Sequence, residues 1–277
     1  MEAKSVAQAL TWARQQLESM DEAAIDADIL LSHVMDKSRT WLKTWPEHIL
    51  SKQQFSHYQE SIERRKKGEP TAYIIGEKDF WSLTLKVTRD TLIPRPETEL
   101  LVELALQRIP ETSDFKVADL GTGSGAIALA IAKERPQARV WALDMSEGAL
   151  TVAQENAEHN KIKNVALEQG SWLSNWQHGQ LDMIVSNPPY VAPNDPHLAD
   201  LVYEPVTALV AEDNGLSDIY TITQQAIQHL KPNGFLLFEH GYDQGSAVRE
   251  ILQSAGFDQV ETVKDYAGQD RVTLGKR

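Results

Sequence analysis

The chain has 277 residues, of which 42% are hydrophobic and 24% charged, as is typical of a globular protein. Its 40 acidic and 27 basic residues give a net charge of −13, which argues against a large nucleic-acid-binding face. The absence of cysteine excludes disulfides, cysteine zinc sites and thiol nucleophiles. No signal peptide and no apolar stretch of about 18 residues is apparent, so we expect a cytoplasmic protein that does not enter membranes.

Residues 1–68 are predicted to form a small helical bundle. Apolar residues recur there at helical spacing, and Ser51 is a suitable N-cap for a helix that Gly68 ends. The basic run from Arg64 to Lys67 falls at the end of that helix, where cations complement the helix dipole. A contact with a partner is the alternative interpretation of this run.

Residues 69–95 show a different pattern, which predicts a β-hairpin linker. Strand-forming residues occur at Tyr73 to Ile75 and at Phe80 to Val87. Pro96 and two acidic residues after it then indicate the start of a helix that runs to about residue 108. Arg95 stands between two prolines, so its side chain should be rigidly presented.

Residues 96–277 are predicted to form the larger domain. Strands and helices alternate along it, which indicates an α/β fold with a doubly wound, largely parallel sheet. The predicted strands are Lys116 to Leu120, Arg139 to Asp144, Val165 to Gln169, Leu181 to Ser186, Phe235 to Glu239, and two near Val260 and Val272.

A glycine-rich turn, Asp119-Leu120-Gly121-Thr122-Gly123-Ser124-Gly125-Ala126, joins the first of these strands to a helix. Its glycines permit a tight turn and the close approach of a ligand, and Asp144 ends the next strand, where a carboxylate can bind a ribose. These features fit a dinucleotide as well as S-adenosylmethionine. Asp119 favours the latter, because its negative charge would repel a pyrophosphate and attract a sulfonium.

The stretch Asn187-Pro188-Pro189-Tyr190 follows the strand that ends at Ser186. The prolines stiffen the turn and lack N–H groups. The Asn187 side-chain oxygen and the Pro188 carbonyl can accept from a planar –NH2 group, while Tyr190 stacks on it. A simple proline-rich turn is the alternative, and the glycine-rich turn upstream favours the functional interpretation.

Several motifs together resemble the bacterial peptide chain release factor glutamine methyltransferases (the PrmC/HemK family), over almost the whole chain. They are Gly68-Glu69-Pro70 through Phe80-Trp81, Ile93 to Glu99, Asp119 to Ala126, Asn187 to Tyr190, Glu204-Pro205, Glu239-His240-Gly241 and Asp270-Arg271. The resemblance implies a Rossmann-like class I methyltransferase domain with a seven-stranded sheet. It also implies that the domain formed by residues 1–68 helps to dock a protein substrate.

The resemblance further implies a cofactor, a substrate and their ligands. S-adenosylmethionine would leave as S-adenosylhomocysteine, and the acceptor would be the glutamine of the Gly-Gly-Gln motif in class-1 release factors. No metal would be involved, and we expect a monomer that forms no stable complex with nucleic acid. The implied cofactor ligands are Gly121, Thr122, Gly123, Ser124, Gly125, Asp144, Trp172 and Asn187. The implied catalytic and substrate-binding residues are Asn187, Pro188, Pro189 and Tyr190, with Arg95 on the substrate.

Three further points bear on the site. Ser171 stands where family members often carry an acid that accepts from the adenine amino group. Glu239 and His240 could suggest a general base, but we expect a locally satisfied pair, because methyl transfer to a positioned amide needs no base. An adenine methyltransferase acting on DNA or RNA would use the same tetrapeptide and remains the alternative, followed by a dehydrogenase and a non-enzymatic binding module.

Overall fold

The computed structural model describes residues 4–277, so the first three residues of the predicted N-terminal domain lie outside it. The chain divides into two compact units, residues 1–77 and residues 78–277. This division falls inside the segment 69–95 that the sequence predicts as a linker. Each unit has a hydrophobic core of its own.

The first unit is helical, as predicted. Its helices are α1 (Val6–Gln16), α2 (Ala23–Met35), α3 (Arg39–Thr44), α4 (Lys52–Lys66) and α5 (Thr71–Ile75). Ser51 is the N-cap of α4, where its hydroxyl accepts from the Gln54 N–H at 3.1 Å. Tyr58 is fully buried in the core and donates to the Ala27 carbonyl of α2.

Helix α5 corrects the prediction of a strand at Tyr73 to Ile75. Asp26 of α2 accepts from the Thr71 hydroxyl at 2.6 Å and from Arg65 at 2.7 Å. Ile74 and Ile75 pack against the helical core. These tertiary contacts outweigh the strand propensity of the sequence. They also account for Arg65, which belongs to the basic run and is bound within this unit.

The second unit begins within a hairpin formed by β1 (Glu77–Phe80) and β2 (Leu83–Lys86). Its later strands are β3 (Lys116–Leu120), β4 (Arg139–Asp144), β5 (Val165–Gln169), β6 (Leu181–Ser186), β7 (Leu230–Glu239), β8 (Asp258–Lys264) and β9 (Asp270–Lys276). Its helices are α6 (Glu99–Leu106), α7 (Ala126–Glu134), α8 (Glu147–His159), the single turn α9 (Glu212–Gly215), α10 (Ser217–His229) and α11 (Gly245–Ser254).

Strands β3 to β9 form one seven-stranded sheet in the order β5-β4-β3-β6-β7-β9-β8. Strands β5, β4, β3, β6 and β7 are parallel, and β9 and β8 add antiparallel pairs at one edge. Helices α6 and α7 contribute to the core on one face, and α10 and α11 to the core on the other. This confirms the predicted doubly wound α/β fold.

The register of the central strands decides which loops meet. Leu120 at the end of β3 pairs with Ser186 at the end of β6, so Gly121 and Asn187 begin side by side. Ser186 pairs in turn with Phe238, which brings Glu239 of β7 next to Asn187. The strand order reverses between β3 and β6, and such switch points carry the ligand crevice of doubly wound sheets.

Two element boundaries differ from the predictions. Residues 96–98 form a 3-10 turn, and α6 itself begins only at Glu99. Strand β7 begins at Leu230 rather than Phe235, since Leu230 already pairs with Leu181 of β6. Among the helices of residues 4–277, none is long and apolar enough to cross a membrane.

Candidate active site

A pocket lies at the carboxyl ends of β3, β4 and β6. Six of the predicted site residues line it: Gly121, Gly123, Asp144, Trp172, Asn187 and Pro189. Six other predicted residues are not among those that line it: Thr122, Ser124, Gly125, Pro188, Tyr190 and Arg95. The roles assigned to all of these side chains remain predictions.

The glycine-rich turn leaves its backbone open to the pocket. Gly121 and Gly123 have φ values of 73° and 56°, a region that side chains disfavour. A Cβ atom on Gly121 would lie 3.2 Å from the Trp172 ring, whereas one on Gly123 would meet nothing within 4 Å. Gly125 is a packing position, because a Cβ there would lie 3.0 Å from Leu129.

Thr122 and Ser124 face the protein interior. The Thr122 hydroxyl donates to Asp119 at 2.6 Å, and the Ser124 carbonyl accepts from Asn156 at 2.8 Å. Both residues are buried. Because both side chains are buried, the backbone is the part of this turn that can meet a ligand.

Asp144 lies at the end of β4 and fixes two loops. One carboxylate oxygen accepts from the Gly123 N–H and the other from the Ser146 N–H, both at 2.9 Å. A carboxylate oxygen can accept more than one hydrogen bond. Asp144 can therefore hold the glycine-rich turn and still accept from a hydroxyl of a bound ligand.

Asp119, at the penultimate position of β3, is fully buried. One of its oxygens accepts from Thr122 and from the Ala128 N–H of α7, and the other, Oδ1, has no partner. Burial raises the pKa of Asp119 to about 7, against the opposing effect of its hydrogen bonds. An acid with an unpaired oxygen thus lies directly beneath the glycine-rich turn.

The Asn-Pro-Pro-Tyr turn presents Asn187 and Pro189 to the pocket. The Asn187 Nδ2 donates to the Thr98 hydroxyl at 3.3 Å, away from the pocket residues. The Tyr190 carbonyl accepts from Gln244 at 3.0 Å. Burial first, and then the charge of Glu239, raise the pKa of Tyr190 to about 12, so its phenol is neutral at physiological pH.

Glu239 and His240 behave differently from each other. His240 is locally satisfied, as expected, since its ring nitrogens lie 2.8 Å from the Gly241 carbonyl and 2.7 Å from the Thr273 hydroxyl. Glu239 contradicts the expectation, because its Oε2 is buried without a partner. Its carboxyl lies near the side chains of Thr98 and Asn187, which lower its pKa.

Arg95 is paired with the buried carboxylate of Glu204. The other oxygen of Glu204 accepts from the Ile93 N–H at 3.0 Å. These contacts give Arg95 a structural role beside the pocket. A contact of Arg95 with a substrate remains a prediction.

Comparison with known proteins identifies the family. Residues 8–76 match the family described as PrmC N-terminal domain, and residues 97–212 match the Methyltransferase small domain. The chain is 50% identical to the release factor glutamine methyltransferase of Vibrio cholerae serotype O1, over 97% of this chain and 95% of that protein. It is 49% identical to that of Aliivibrio fischeri, over 94% and 92%.

The chain belongs to the release factor glutamine methyltransferase family. A crystal structure of a methyltransferase from Pyrococcus furiosus has the same fold, with a TM-score of 0.54 and 20% identity over 80% of this chain and 98% of that one. Family and fold together imply a methyltransferase that depends on S-adenosylmethionine.

The charges of the pocket fit the cofactor of this methyltransferase family. Asp90, Asp144 and Asp218 line it, and no lysine or arginine is found among its described lining residues. Such a pocket favours a sulfonium cation and disfavours the pyrophosphate of a dinucleotide. The open backbone at Gly123 leaves room for the ligand.

Asp218 is a residue that the sequence analysis missed. It lies in the first turn of α10, where an acid is ordinarily explained by the helix dipole. Partial burial raises its pKa, while a hydrogen bond with Trp172 opposes that shift. Asp218 and Ser171 both line the pocket. Asp218 therefore supplies an acid to the pocket, although Ser171 stands where relatives often carry one. Only the folded chain brings these two positions together.

Proposed function

We propose that this protein transfers a methyl group from S-adenosylmethionine to the side-chain amide nitrogen of the glutamine in the Gly-Gly-Gln motif of class-1 release factors. The observation that carries the proposal is the position of Asn187 on the wall of an acid-lined pocket, beside the glycine-rich turn. The relatives that are about half identical to this chain over nearly its whole length are named as release factor glutamine methyltransferases.

We assign the cofactor to the backbone of Gly121 and Gly123, to Asp144 and to Trp172. Asp144 would accept from the ribose hydroxyls, and the Trp172 ring would pack against the adenine. When bound, S-adenosylmethionine supplies an electrophilic methyl group on a sulfonium. The acids of the pocket would stabilise that positive charge before transfer.

We assign the acceptor amide to the Asn-Pro-Pro-Tyr turn. The Asn187 Oδ1 and the Pro188 carbonyl would each accept one hydrogen of the –NH2 group, and Tyr190 would lie against its plane. An amide nitrogen is a poor nucleophile, so holding it in line with the methyl group supplies much of the rate enhancement. The two acceptors also stabilise the positive charge that develops on the nitrogen. The proton then leaves to water.

An adenine methyltransferase is not favoured, although adenine also offers a planar –NH2 group. Duplex DNA binding draws on basic residues that release counterions, whereas this chain has an excess of 13 acidic residues. Extruding a base would cost a few kcal/mol more. A flexible Gly-Gly-Gln loop enters a narrow pocket at a lower cost.

We further propose that the helical N-terminal unit docks the release factor and so selects one glutamine among many. This assignment rests on the separate core of that unit and on the need for a second contact with a large protein. Because translation termination takes place in the cytoplasm, we place the enzyme there. We propose that it acts as a monomer. The ion pairs Arg64–Glu69 and Arg65–Asp26 favour a structural role for half of the basic run.

The proposal is tested by offering the protein labelled S-adenosylmethionine with three acceptors in parallel. These are a class-1 release factor, the same factor with Gln→Ala in its Gly-Gly-Gln motif, and adenine-rich DNA. We expect label on the native factor alone. Label on the DNA, or undiminished label on the Gln→Ala factor, would overturn the assignment of the substrate.

A further inference from the structure

A short chain of buried side chains lies behind Asn187. The Asn187 Nδ2 donates to the Thr98 hydroxyl oxygen at 3.3 Å. Thr98 is buried, and both its side chain and that of Asn187 lie close enough to the Glu239 carboxyl to lower its pKa. Glu239 is only 1% exposed, and its Oε2 has no partner among the described residues. The register of β6 and β7 holds Glu239 in this place.

The chemistry of these groups gives the chain a direction. An ionised carboxylate only accepts hydrogen bonds, so the single hydroxyl proton of Thr98 is drawn toward Glu239. The oxygen of Thr98 is then left as an acceptor, and it suits the –NH2 end of the Asn187 amide. The carbonyl end of that amide, Oδ1, is thereby turned away from Thr98.

We infer that Thr98 and Glu239 are positioning residues that orient the Asn187 amide, so that Oδ1 and not Nδ2 faces the nitrogen to be methylated. This inference rests on the proposed function, since only an –NH2 acceptor makes the orientation matter. The two ends of an asparagine amide are nearly identical in shape. Packing alone therefore does not select between them, whereas a fixed hydrogen-bond partner does.

A reversed amide would remove the catalytic contact. Its –NH2 group would face the –NH2 group of the glutamine, donor against donor, and no lone pair would receive the substrate hydrogen. A buried acid without a full set of partners is costly to keep in a fold. Glu239 has a reason to stay buried behind the Asn-Pro-Pro-Tyr turn if it holds the Asn187 amide in the active orientation.

The charged neighbours of Glu239 make the arrangement sensitive to pH. Burial raises the pKa of Glu239 to about 7, and the negative charge of Glu97 adds to the rise. The side chains of Thr98 and Asn187 and the positive charge of Arg271 oppose this shift. Tyr190 is neutral in this range. A protonated Glu239 can donate to Thr98, and the direction of the chain is then lost. The native kcat should consequently rise with pH through about 7.

The first experiment compares full-length Thr98→Val, which removes the hydroxyl at nearly constant shape, with Thr98→Ser, which keeps it. We expect Thr98→Val to lower kcat roughly tenfold, the scale of one hydrogen bond, with KM for the release factor and the Kd of S-adenosylmethionine unchanged. Thr98→Ser should stay within about twofold of native kcat. The matched control is Thr223→Val, a buried threonine that only bonds the carbonyl of Ile219 in its own helix.

The decisive measurement repeats Thr98→Val in an Asn187→Ala background. If Thr98 acts through the Asn187 amide, the second substitution lowers kcat no further. Multiplicative losses in the double variant, or native kcat in Thr98→Val, would overturn the inference. These outcomes are distinct from a failure of the proposed function, in which the native protein itself would transfer no methyl group to the release factor.

A second variant, Glu239→Gln, tests the chain at its other end and does not depend on how Thr98 variants fold. The glutamine amide can donate to Thr98 as well as accept, and it does not titrate in this range. We expect a lower kcat together with loss of the rise through pH 7. An unaltered pH profile of kcat in Glu239→Gln would contradict the assignment of Glu239.

Discussion

The guanidinium of Arg95 is paired with the carboxylate of Glu204, which lies 109 positions further along the chain. Glu204 is almost fully buried, and its second oxygen accepts from the Ile93 N–H. The neighbouring residues Leu92 and Pro205 both line the pocket. The pair therefore joins the two segments that form one side of the active site. It also links the Ile-Pro-Arg-Pro-Glu-Thr-Glu segment to the Glu-Pro segment in the folded chain.

Arg95→Ala should destabilise the fold by about 2 kcal/mol, because a buried Glu204 is left without its cation and the half-exposed Arg95 limits the effect. Urea unfolding measures this change. The double variant Arg95→Ala/Glu204→Gln should recover part of the loss, since it no longer buries an unpaired charge. A double variant less stable than Arg95→Ala would show that the charge of Glu204 is not the cause.

Asp144→Ala should weaken S-adenosylmethionine binding by roughly 2 kcal/mol, the scale of losing charge-assisted hydrogen bonds. The variant would lose the hydrogen bonds of Asp144 to the ligand. It would also release the N–H groups of Gly123 and Ser146, which Asp144 holds. Titration calorimetry gives the affinity. Asp114→Ala, which removes an exposed partner of Arg139, is the matched control and should bind the cofactor normally. Unchanged binding in Asp144→Ala would remove this residue from the cofactor site.

Asn187→Ala should lower kcat about a hundredfold or more, the scale of losing one well-placed polar group in an active site. The fold should survive, because the two prolines hold the turn without the side chain. Single-turnover rates and thermal melting curves test both statements. A variant with native stability and a near-native rate would exclude Asn187 from catalysis.

Asp119 should make the stability of the protein depend on pH. Its pKa is raised from its ordinary value near 4 to about 7 by burial, so between these values the folded state keeps a proton that the unfolded state has lost. The contribution of Asp119 is therefore favourable below about pH 4 and is lost as pH rises to about 7, by an amount of order 4 kcal/mol.

This contribution can be isolated with Asp119→Asn, which does not titrate. The free energy of unfolding of the native protein, relative to the variant, should fall between pH 4 and pH 7 and be constant above that range. Urea unfolding at several pH values gives the difference. A difference that is the same at pH 4 and pH 8 would show that Asp119 is ionised throughout.

Removal of residues 1–77 should abolish methyl transfer to an intact release factor while leaving the affinity for S-adenosylmethionine largely unchanged. The second unit contains the whole pocket and has a core of its own. Circular dichroism serves as the control for folding, and calorimetry for cofactor binding. Full activity of the shortened chain on the intact factor would show that the helical unit has no part in docking.

The sequence by itself determined the larger fold and the two turns that border the pocket. Strands β3 to β6 lie within the predicted bounds, because each is a short run of strand formers between clear turn residues. The glycine-rich turn and the Asn-Pro-Pro-Tyr turn could also be identified from the sequence. Glycine and proline restrict or free the backbone locally, so their effect does not depend on distant contacts.

Only the tertiary structure decided the features that depend on partners far along the chain. Ile74 and Ile75 look like strand residues until the helical core and Asp26 hold them in a helix. Glu239 looks like an ordinary strand end until the pairing of β6 with β7 places it behind Asn187. These features depend on burial and on hydrogen bonds between residues that are distant in the sequence. A local sequence pattern cannot predict either.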